Sequence, residues 1–352
     1  MTGPRPDDPN APVVLQQFKG LNNVVAPERL EPGELQRAIN VDIDDTGHVR
    51  RRRGAVQLSP AAHHSLFEAA DGTLYVVKEG VLCRLLPNNS TVSLGVAVGN
   101  RPVAYVQVGQ HIFFSSGAMS GVIYPDDQVG PWGASTGQNV WVSPVVRPTE
   151  TLPDTRGKLL GPPPMATLLE YFNGRIYLAN DSTLWATELY LYHYVDKTRN
   201  FQQYEAPLTM MGAVGNGIYV GTETAVYFLS GSFTEMRRET VLRVGAVKGS
   251  MVRVPAEAAS PPQLRENGIS QTRPAILFMT PDGLCLGLDN GQCYNLTEKQ
   301  LVFPGMQEAA AMYRQQDGIG QYVAVTSTGG TPTSTARIGD FVDAEIRRFT
   351  GA

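Results

Sequence analysis

The sequence is poor in the residues from which catalytic, metal and disulfide sites are usually built. It has only three cysteines in 352 residues, and this odd number indicates reduced thiols rather than a disulfide framework. The five histidines are scattered along the chain. We find no phosphate-binding loop, nucleophile elbow, metal-ligand spacing or pair of catalytic carboxylates. We therefore predict no enzymatic activity and no catalytic, cofactor-binding or metal-binding residues.

Charge and long apolar runs are also scarce. Charged residues make up 18% of the chain and the formal net charge is -4, so the sequence has no broad cationic surface for gripping phosphates. The longest apolar runs, such as residues 210–214, fall far short of the roughly 20 residues that cross a bilayer. Residues 1–12 are polar and proline-rich and do not resemble a secretory signal. We expect no membrane-spanning segment and synthesis in the cytoplasm.

What the chain does contain is glycine and proline, with 36 and 25 residues respectively, a composition that favours short strands and tight turns over helices. A glycine turn followed by an apolar, often aromatic strand recurs six times. The strand residues at equivalent positions are Tyr75, Phe113, Tyr177, Tyr219, Cys285 and Tyr322. Their spacings are 38, 64, 42, 66 and 37 residues.

A period of about 40 residues matches one four-stranded propeller blade, and the two longer intervals correspond to a blade plus an insertion. We therefore predict an all-β protein with a β-propeller of five to seven blades; a β-sandwich is the alternative, since such turns occur in other antiparallel folds. Residues 1–17 are expected to be a flexible arm, 18–54 a strap and hairpin, and 55–352 the propeller. Its long inter-blade loops are placed near 125–165 and 249–275.

Three tyrosines, Tyr190, Tyr192 and Tyr194, alternate with other residues and predict a strand with one aromatic face. That face is either a docking surface or, as the better prediction, a buried blade face. Cys285 and Cys293 are separated by an Asp-Asn-Gly turn, which predicts a hairpin that brings two small core residues together.

The N-terminal strap has a distinctive order of elements. Phe18-Lys19-Gly20-Leu21-Asn22 comes first, then Leu30-Glu31-Pro32-Gly33, then Ala38-Ile39-Asn40-Val41-Asp42, and finally Gly47 and Arg52-Arg53-Gly54. We expect a short helical turn within residues 32–39 and a hairpin formed by residues 41–43 and 49–53. This order resembles the opening of the tail nozzle family of short-tailed bacteriophages, also called tail tubular protein B or packaged-DNA stabilisation proteins.

The resemblance implies a structural protein of the virion tail. In such a nozzle several copies, usually six, form a ring below the portal and adaptor that retains the genome and lets double-stranded DNA pass at ejection. Expected partners are further copies of the chain, the adaptor and portal proteins, and tail spike or fibre proteins. The strap and the 125–164 loop are candidate contact regions. The candidate interface residues are Phe18, Leu21, Asn22, Asn40, Asp42, Arg51, Arg53, Trp132 and Trp141.

Three other functions stay open at this point. The chain could be another head-to-tail connector protein. It could instead be a carbohydrate-binding propeller of a receptor-binding tail protein, with Trp132, Trp141 and Trp185 as sugar platforms. A hydrolase on the same fold would need a cluster of acids or histidines that the sequence does not provide.

Overall fold

The described part of the chain is built from β-strands. This computed structural model describes residues 18–37, 41–43, 48–51, 56–133, 158–256, 273–316, 319–327 and 342–349. Within these ranges the only helical elements are two three-residue 3-10 helices, Pro27–Arg29 and Phe233–Glu235. No helix in them is long and apolar enough to cross a membrane. The predicted all-β class is confirmed.

The strap contributes two small sheets. Strand β1 (Gly20–Leu21) pairs in parallel with β2 (Glu34–Leu35), and β3 (Val41–Ile43) pairs antiparallel with β4 (Val49–Arg51). The hairpin was therefore predicted correctly. The helical turn expected within residues 32–39 was wrong, because residues 34 and 35 add to β1 as a strand and the 3-10 turn lies earlier in the strap.

Six further sheets follow in chain order, and we call them blades 1 to 6. Blade 1 contains β5 (His63–Glu68), β6 (Leu74–Lys78), β7 (Val81–Leu85) and β8 (Thr91–Ala97), and blade 2 contains β9 (Ala104–Val108), β10 (His111–Ser115), β11 (Ser120–Ile123) and β12 (Val129–Pro131). Blade 3 contains β14 (Leu168–Phe172), β15 (Arg175–Asn180), β16 (Thr183–Ala186) and β18 (Phe201–Gln203), flanked by the small pair of β13 (Leu160–Gly161) and β17 (Val195–Asp196).

The remaining blades continue the same up-and-down order. Blade 4 contains β19 (Leu208–Val214), β20 (Gly217–Thr222), β21 (Val226–Ser230) and β22 (Arg237–Leu242), and blade 5 contains β23 (Val252–Val254), β24 (Ala275–Thr280), β25 (Gly283–Gly287) and β26 (Cys293–Asn295). Blade 6 has three strands, β27 (Glu308–Gln316), β28 (Ile319–Ser327) and β29 (Val342–Phe349).

The core lies between the blades. Five described hydrophobic clusters each join one pair of successive blades, from blades 1 and 2 through to blades 5 and 6. Because side chains alternate along a strand, one strand serves two clusters. In β10, Ile112 and Phe114 pack toward blade 1 whereas Phe113 packs toward blade 3. Sheets stacked face to face in sequence, with their first strands on the inner side, are the arrangement of a β-propeller, and six blades lie within the predicted range.

The first strands of the blades lie together on the inner side of this arrangement. Strand β14 contacts both β9 and β19, and β23 contacts β27. Residues on first strands of different blades can therefore meet, although they are far apart in sequence.

The repeat that predicted the blades marks the same strand in five cases. Tyr75, Phe113, Tyr177, Tyr219 and Tyr322 all lie on the second strand of a blade. Cys285 lies instead on the third strand of blade 5, because the turn before it joins the second strand to the third. The stretch 249–275 consequently holds β23 and the connection to β24, so this insertion lies within a blade. The first predicted loop, 125–165, is corrected in part, because β12 within it is the fourth strand of blade 2.

Candidate functional site

A charged network at the inner side of the propeller is the most distinctive polar feature of the described residues. Glu170 stands in the middle of β14, in an otherwise apolar strand. Its two carboxylate oxygens accept hydrogen bonds from the Arg253 guanidinium on β23. The backbone N–H of Ala213 on β19 donates to the same carboxylate at 3.1 Å. Residues from the first strands of blades 3, 4 and 5 therefore meet at one carboxylate.

The two charged partners of this network differ in their exposure to solvent. The side chain of Glu170 is buried, at 4% exposure, whereas that of Arg253 is 54% exposed. Burial raises the pKa of Glu170 above its ordinary value, although Arg253 and the N–H groups of Ala213 and Tyr171 favour its ionised form. A buried carboxylate without such partners would cost several kcal/mol, roughly 3 to 5 by analogy with broken buried ion pairs. The network joins three blades. The hydrogen bonds of the Glu170 carboxylate go to donors of the protein itself, so we assign this carboxylate a structural role.

A second polar group is formed by two histidines near the junction of blades 2 and 3. His193 is fully buried, and its Nδ1 accepts a hydrogen bond from the N–H of Gly133 at 3.1 Å. The neutral ring then carries its proton on Nε2. Burial, with a smaller contribution from His111, lowers the pKa of His193 to about 4. The folded protein thus keeps His193 neutral at physiological pH, and its contribution to stability is lost as pH falls from about 6.5 toward 4.

His111 borders an open pocket of about 470 Å³ that is also lined by Tyr124, Pro125 and Asp126. One imidazole and one carboxylate are too few ligands for a structural metal site. Within the described ranges, no group of three or more histidine, cysteine, aspartate or glutamate residues is arranged to hold a metal ion.

The strap, predicted to contact other proteins, is attached to its own propeller. Asn23 exchanges hydrogen bonds with Val302, accepting from its N–H and donating to its carbonyl, both at 2.9 Å. The N–H of Asn23 donates to the carbonyl of Gln300 at 2.9 Å. Leu21 packs against the cluster between blades 5 and 6. The sequence pattern of the strap therefore has an intramolecular purpose, which sequence reasoning missed.

The structure separates the predicted interface residues. Asn22 is buried, and its side-chain oxygen accepts from the N–H of Val24 at 3.1 Å, so Asn22 shapes the strap from within. Phe18 is half-buried and Arg51 is exposed, while Asp42 lies on β3 opposite Arg50 in the ladder. The remaining three strap or loop candidates, Asn40, Arg53 and Trp141, lie outside the described residues.

The prediction that Trp132 lies on a contact loop was wrong. It is 6% exposed and belongs to the cluster between blades 2 and 3. Its Nε1–H donates to the carbonyl of Tyr192 at 2.8 Å, and its ring centroid lies 5.3 Å from that of Phe113. A buried aromatic ring whose polar N–H is hydrogen-bonded inside the protein is a core residue. Trp132 therefore cannot serve as a surface platform in this structure.

The tyrosines at 190, 192 and 194 do not lie on the predicted strand, although Tyr192 and Tyr194 are buried, as the better prediction expected. Residues 188–194 form successive tight turns, in which the N–H of Glu188 donates to the carbonyl of Tyr194 at 2.8 Å. Tyr192 and Tyr194 are buried, whereas Tyr190 is exposed and has a φ of 59°. Period-two spacing predicted a strand, but the left-handed conformation at Tyr190 ends any extended run.

The two cysteines of blade 5 match their prediction as core residues. Cys285 and Cys293 lie on β25 and β26, and both contribute to the cluster between blades 4 and 5. The Cys293 thiol donates a hydrogen bond to the sulfur of Cys285, and this bond together with burial raises the pKa of Cys293. Both thiols are free, as is that of Cys83.

Comparison with known proteins gives no family. No protein-family model and no curated protein matches the chain. Solved structures align over much of it at low identity. The extracellular domain of the one-component system BT4673 from B. thetaiotaomicron has 11% identity and a TM-score of 0.46. The alignment covers 76% of the present chain, and the present chain spans only 31% of the length of that domain.

Two further structures align over most of both chains. BBS1N in complex with ARL6DN has 13% identity and a TM-score of 0.44, covering 82% of this chain and 84% of that one. A catalytically inactive virginiamycin B lyase from Staphylococcus aureus has 8% identity and a TM-score of 0.38, covering 78% and 84%. Likeness at this level transfers no function to the present chain.

Proposed function

We propose that this protein is a non-enzymatic subunit of a short-tailed bacteriophage nozzle, located in the virion tail. Several copies, six by resemblance, would form a ring below the portal and adaptor that retains the genome until ejection. The order of motifs in the strap supports this proposal, as does a rigid propeller whose buried acid is used in a structural ion pair.

The observation that carries the assembly part of the proposal is a small set of exposed apolar side chains on the first and last blades. Met312 is 54% exposed and Val325 is 40% exposed on blade 6. Neighbouring Ala311, Tyr313 and Ala324 pack toward blade 5, so strand alternation directs Met312 and Val325 to the other face.

Blade 1 has the corresponding feature. Leu66 is 63% exposed, while the next residue, Phe67, packs on the side of blade 2. Among the described clusters, none joins blade 6 to blade 1. Apolar side chains left exposed on both terminal blades favour contact with another subunit.

The Glu170–Arg253 pair bears on where DNA would pass. The pair links the first strands of blades 3 to 5 across the inner side of the propeller, where a channel through a single subunit would have to run. We therefore place the DNA channel at the centre of the ring of subunits and not inside the propeller of one subunit. A modest net charge of -4 suits such a channel, because few fixed cations would retain the phosphates.

A carbohydrate-binding tail protein is the alternative, but two of its three expected tryptophan platforms pack against other side chains. Trp132 is buried, and Trp185 is covered by Phe201, with ring centroids 5.2 Å apart, and by the Lys197 ammonium at 5.4 Å. Binding of the purified protein to a glycan array, lost on substitution of Trp185, would favour this alternative over the nozzle.

The test of the nozzle proposal has two parts. Cryo-electron microscopy of virions with antibody against this chain should place a closed ring of copies below the portal; label on peripheral fibres would contradict it. In solution, the double variant Leu66→Lys/Met312→Lys should lower the oligomer mass measured by light scattering. Leu189→Lys is the matched control, because Leu189 is also exposed but lies on a turn of blade 3. An unchanged mass in the double variant would remove blades 1 and 6 from the interface.

A further inference from the structure

Two of the three cysteines of the chain meet on the outer hairpin of blade 5, which is formed by β25 and β26. In the register of this hairpin, Cys293 lies opposite Gly287. Cys285 precedes Gly287 by two residues on the same strand, so both cysteine side chains lie on one face of the hairpin. The Cys293 thiol donates a hydrogen bond to the Cys285 sulfur. The fold therefore holds two sulfur atoms in contact.

The turn that joins these strands is fixed by hydrogen bonds. The N–H of Leu288 donates to the carbonyl of Gln292 at 2.9 Å. Gly291 has a φ of 89°, a value that glycine adopts without strain. The hydroxyl of Tyr219, from blade 4, lies 2.8 Å from the carbonyls of Leu288 and Gln292. A neighbouring blade thus holds the hairpin in the shape that keeps the two sulfurs together.

The surroundings of the two sulfurs suit them to different chemical roles. The hydrogen bond from Cys293 lowers the pKa of Cys285, with a further contribution from the Thr280 hydroxyl at 3.8 Å, although burial opposes the shift. A lower pKa increases the thiolate fraction, and the thiolate is the nucleophilic form of cysteine. Cys285 is buried, whereas Cys293 is half-buried. The pair therefore lies at the margin of the core, where a molecule little larger than water can approach it.

Cys83 provides the contrast within the same chain. It is buried on β7 of blade 1, and burial raises its pKa. Its thiol donates to the carbonyl of Val81 at 3.5 Å. A buried thiol whose thiolate is not stabilised is inert, so we expect reactivity at the blade 5 pair and not at Cys83.

We propose that Cys285 and Cys293 form an oxidation site for peroxides, in which Cys285 is the attacking residue and Cys293 the resolving thiol that closes a disulfide. Cys285 gives its proton to water, and its sulfur attacks one oxygen of hydrogen peroxide. The O–O bond breaks, hydroxide leaves and takes up a proton as water, and Cys285 becomes a sulfenic acid. The Cys293 sulfur then attacks the Cys285 sulfur, and the displaced hydroxide leaves with the Cys293 proton as water. Both thiols are oxidised and the peroxide is reduced to water.

The disulfide would join the outer strand of blade 5 covalently to its neighbour. β26 has only three residues, so its backbone pairing with β25 is short. A thiol reductant would restore both cysteines by exchange, which makes the modification reversible. The proposal does not depend on the nozzle function.

Thiol counting on the full-length protein tests the proposal. The folded protein is treated with hydrogen peroxide at neutral pH and then unfolded in guanidinium chloride that contains N-ethylmaleimide. We expect two of the three thiols to escape labelling and dithiothreitol to restore them. No lysine or arginine lies between Cys285 and Cys293, so one tryptic peptide contains both and should be unlabelled and lighter by a pair of hydrogens. Labelling of all three thiols would overturn the proposal.

Two variants assign the roles within the pair. In Cys293→Ser the disulfide cannot close, so a dimedone probe should trap Cys285 as its sulfenic acid; an unmodified Cys285 thiol would contradict its role as the attacking residue. The matched control, Cys83→Ser, should form the same disulfide as the original chain. If circular dichroism shows that Cys293→Ser is unfolded, Cys293→Ala is measured in its place. A disulfide-linked dimer on a non-reducing gel, in place of the bond within one peptide, would also contradict the proposal.

Discussion

At the scale of residues, the decisive feature is a carboxylate placed inside an apolar strand. Glu170 is tolerable there because Arg253, on the first strand of blade 5, lies against it. Its position in Leu-Leu-Glu-Tyr-Phe was a visible signal, since a charge in the centre of a buried strand needs a partner. The sequence could not name that partner, which is 83 residues away.

Removing the partner should therefore destabilise the protein. Arg253→Met leaves Glu170 buried without a counter-charge, and we expect a loss of about 3 kcal/mol at pH 7, the lower end of the range for broken buried pairs because Arg253 is half-exposed. Burial already raises the pKa of Glu170, and losing Arg253 raises it further. A carboxyl with a raised folded pKa destabilises above its unfolded pKa, so the penalty should shrink as pH falls from 7 to 5.

Urea unfolding of the variant and the original chain at both pH values measures this effect. The control is Arg237→Met, because Arg237 is well exposed on β22. A pH-independent loss for Arg253→Met would show that Glu170 is not the group responsible.

Trp132 gives a second prediction at the same scale. Because its ring fills the cluster between blades 2 and 3, Trp132→Ala should cost about 3 to 5 kcal/mol in unfolding free energy. Tyr190→Ala, at an exposed aromatic on a turn, should cost much less. Denaturant unfolding measures both free energies of unfolding. An equally small loss in the two variants would mean that Trp132 is a surface residue.

At the scale of elements, the hairpin turns were predictable because their chemistry is local. The Asn173-Gly174 turn has φ values of 48° and 76°, which are the left-handed values that two-residue hairpins require. What the sequence could not show is that Tyr190 and Leu189 pack over this turn, with Tyr190 held by a hydrogen bond from its N–H to the Gly174 carbonyl.

Two alanine substitutions separate these local and tertiary effects. Gly72 has a φ of 82° and free space where a Cβ would stand, whereas a Cβ on Gly174 would lie 2.8 Å from the Tyr190 ring. Gly72→Ala should cost about 1 kcal/mol from backbone conformation alone, and Gly174→Ala should cost more. Thermal or urea unfolding measures the difference; equal losses would mean that Tyr190 moves aside freely.

At the scale of the whole molecule, charge predicts behaviour toward DNA. With a net charge of -4 and no broad cationic surface expected, the purified protein should not retard double-stranded DNA in a gel at about 0.15 M salt, because phosphate binding needs clustered cations. Retardation that weakens steeply as salt is raised would reveal a cationic surface and argue against a channel in which DNA slides freely.

The sequence by itself determined the strand-rich class, the hairpin turns and a blade period of about 40 residues, because turn chemistry and side-chain alternation act over a few neighbouring residues. The tertiary structure decided which surface each side chain faces. It buried Trp132, broke the expected strand at Tyr190, attached the strap to residues 300–302 and joined Glu170 to Arg253. Each of these outcomes depends on contacts between distant parts of the chain, and such contacts form only when the blades stack.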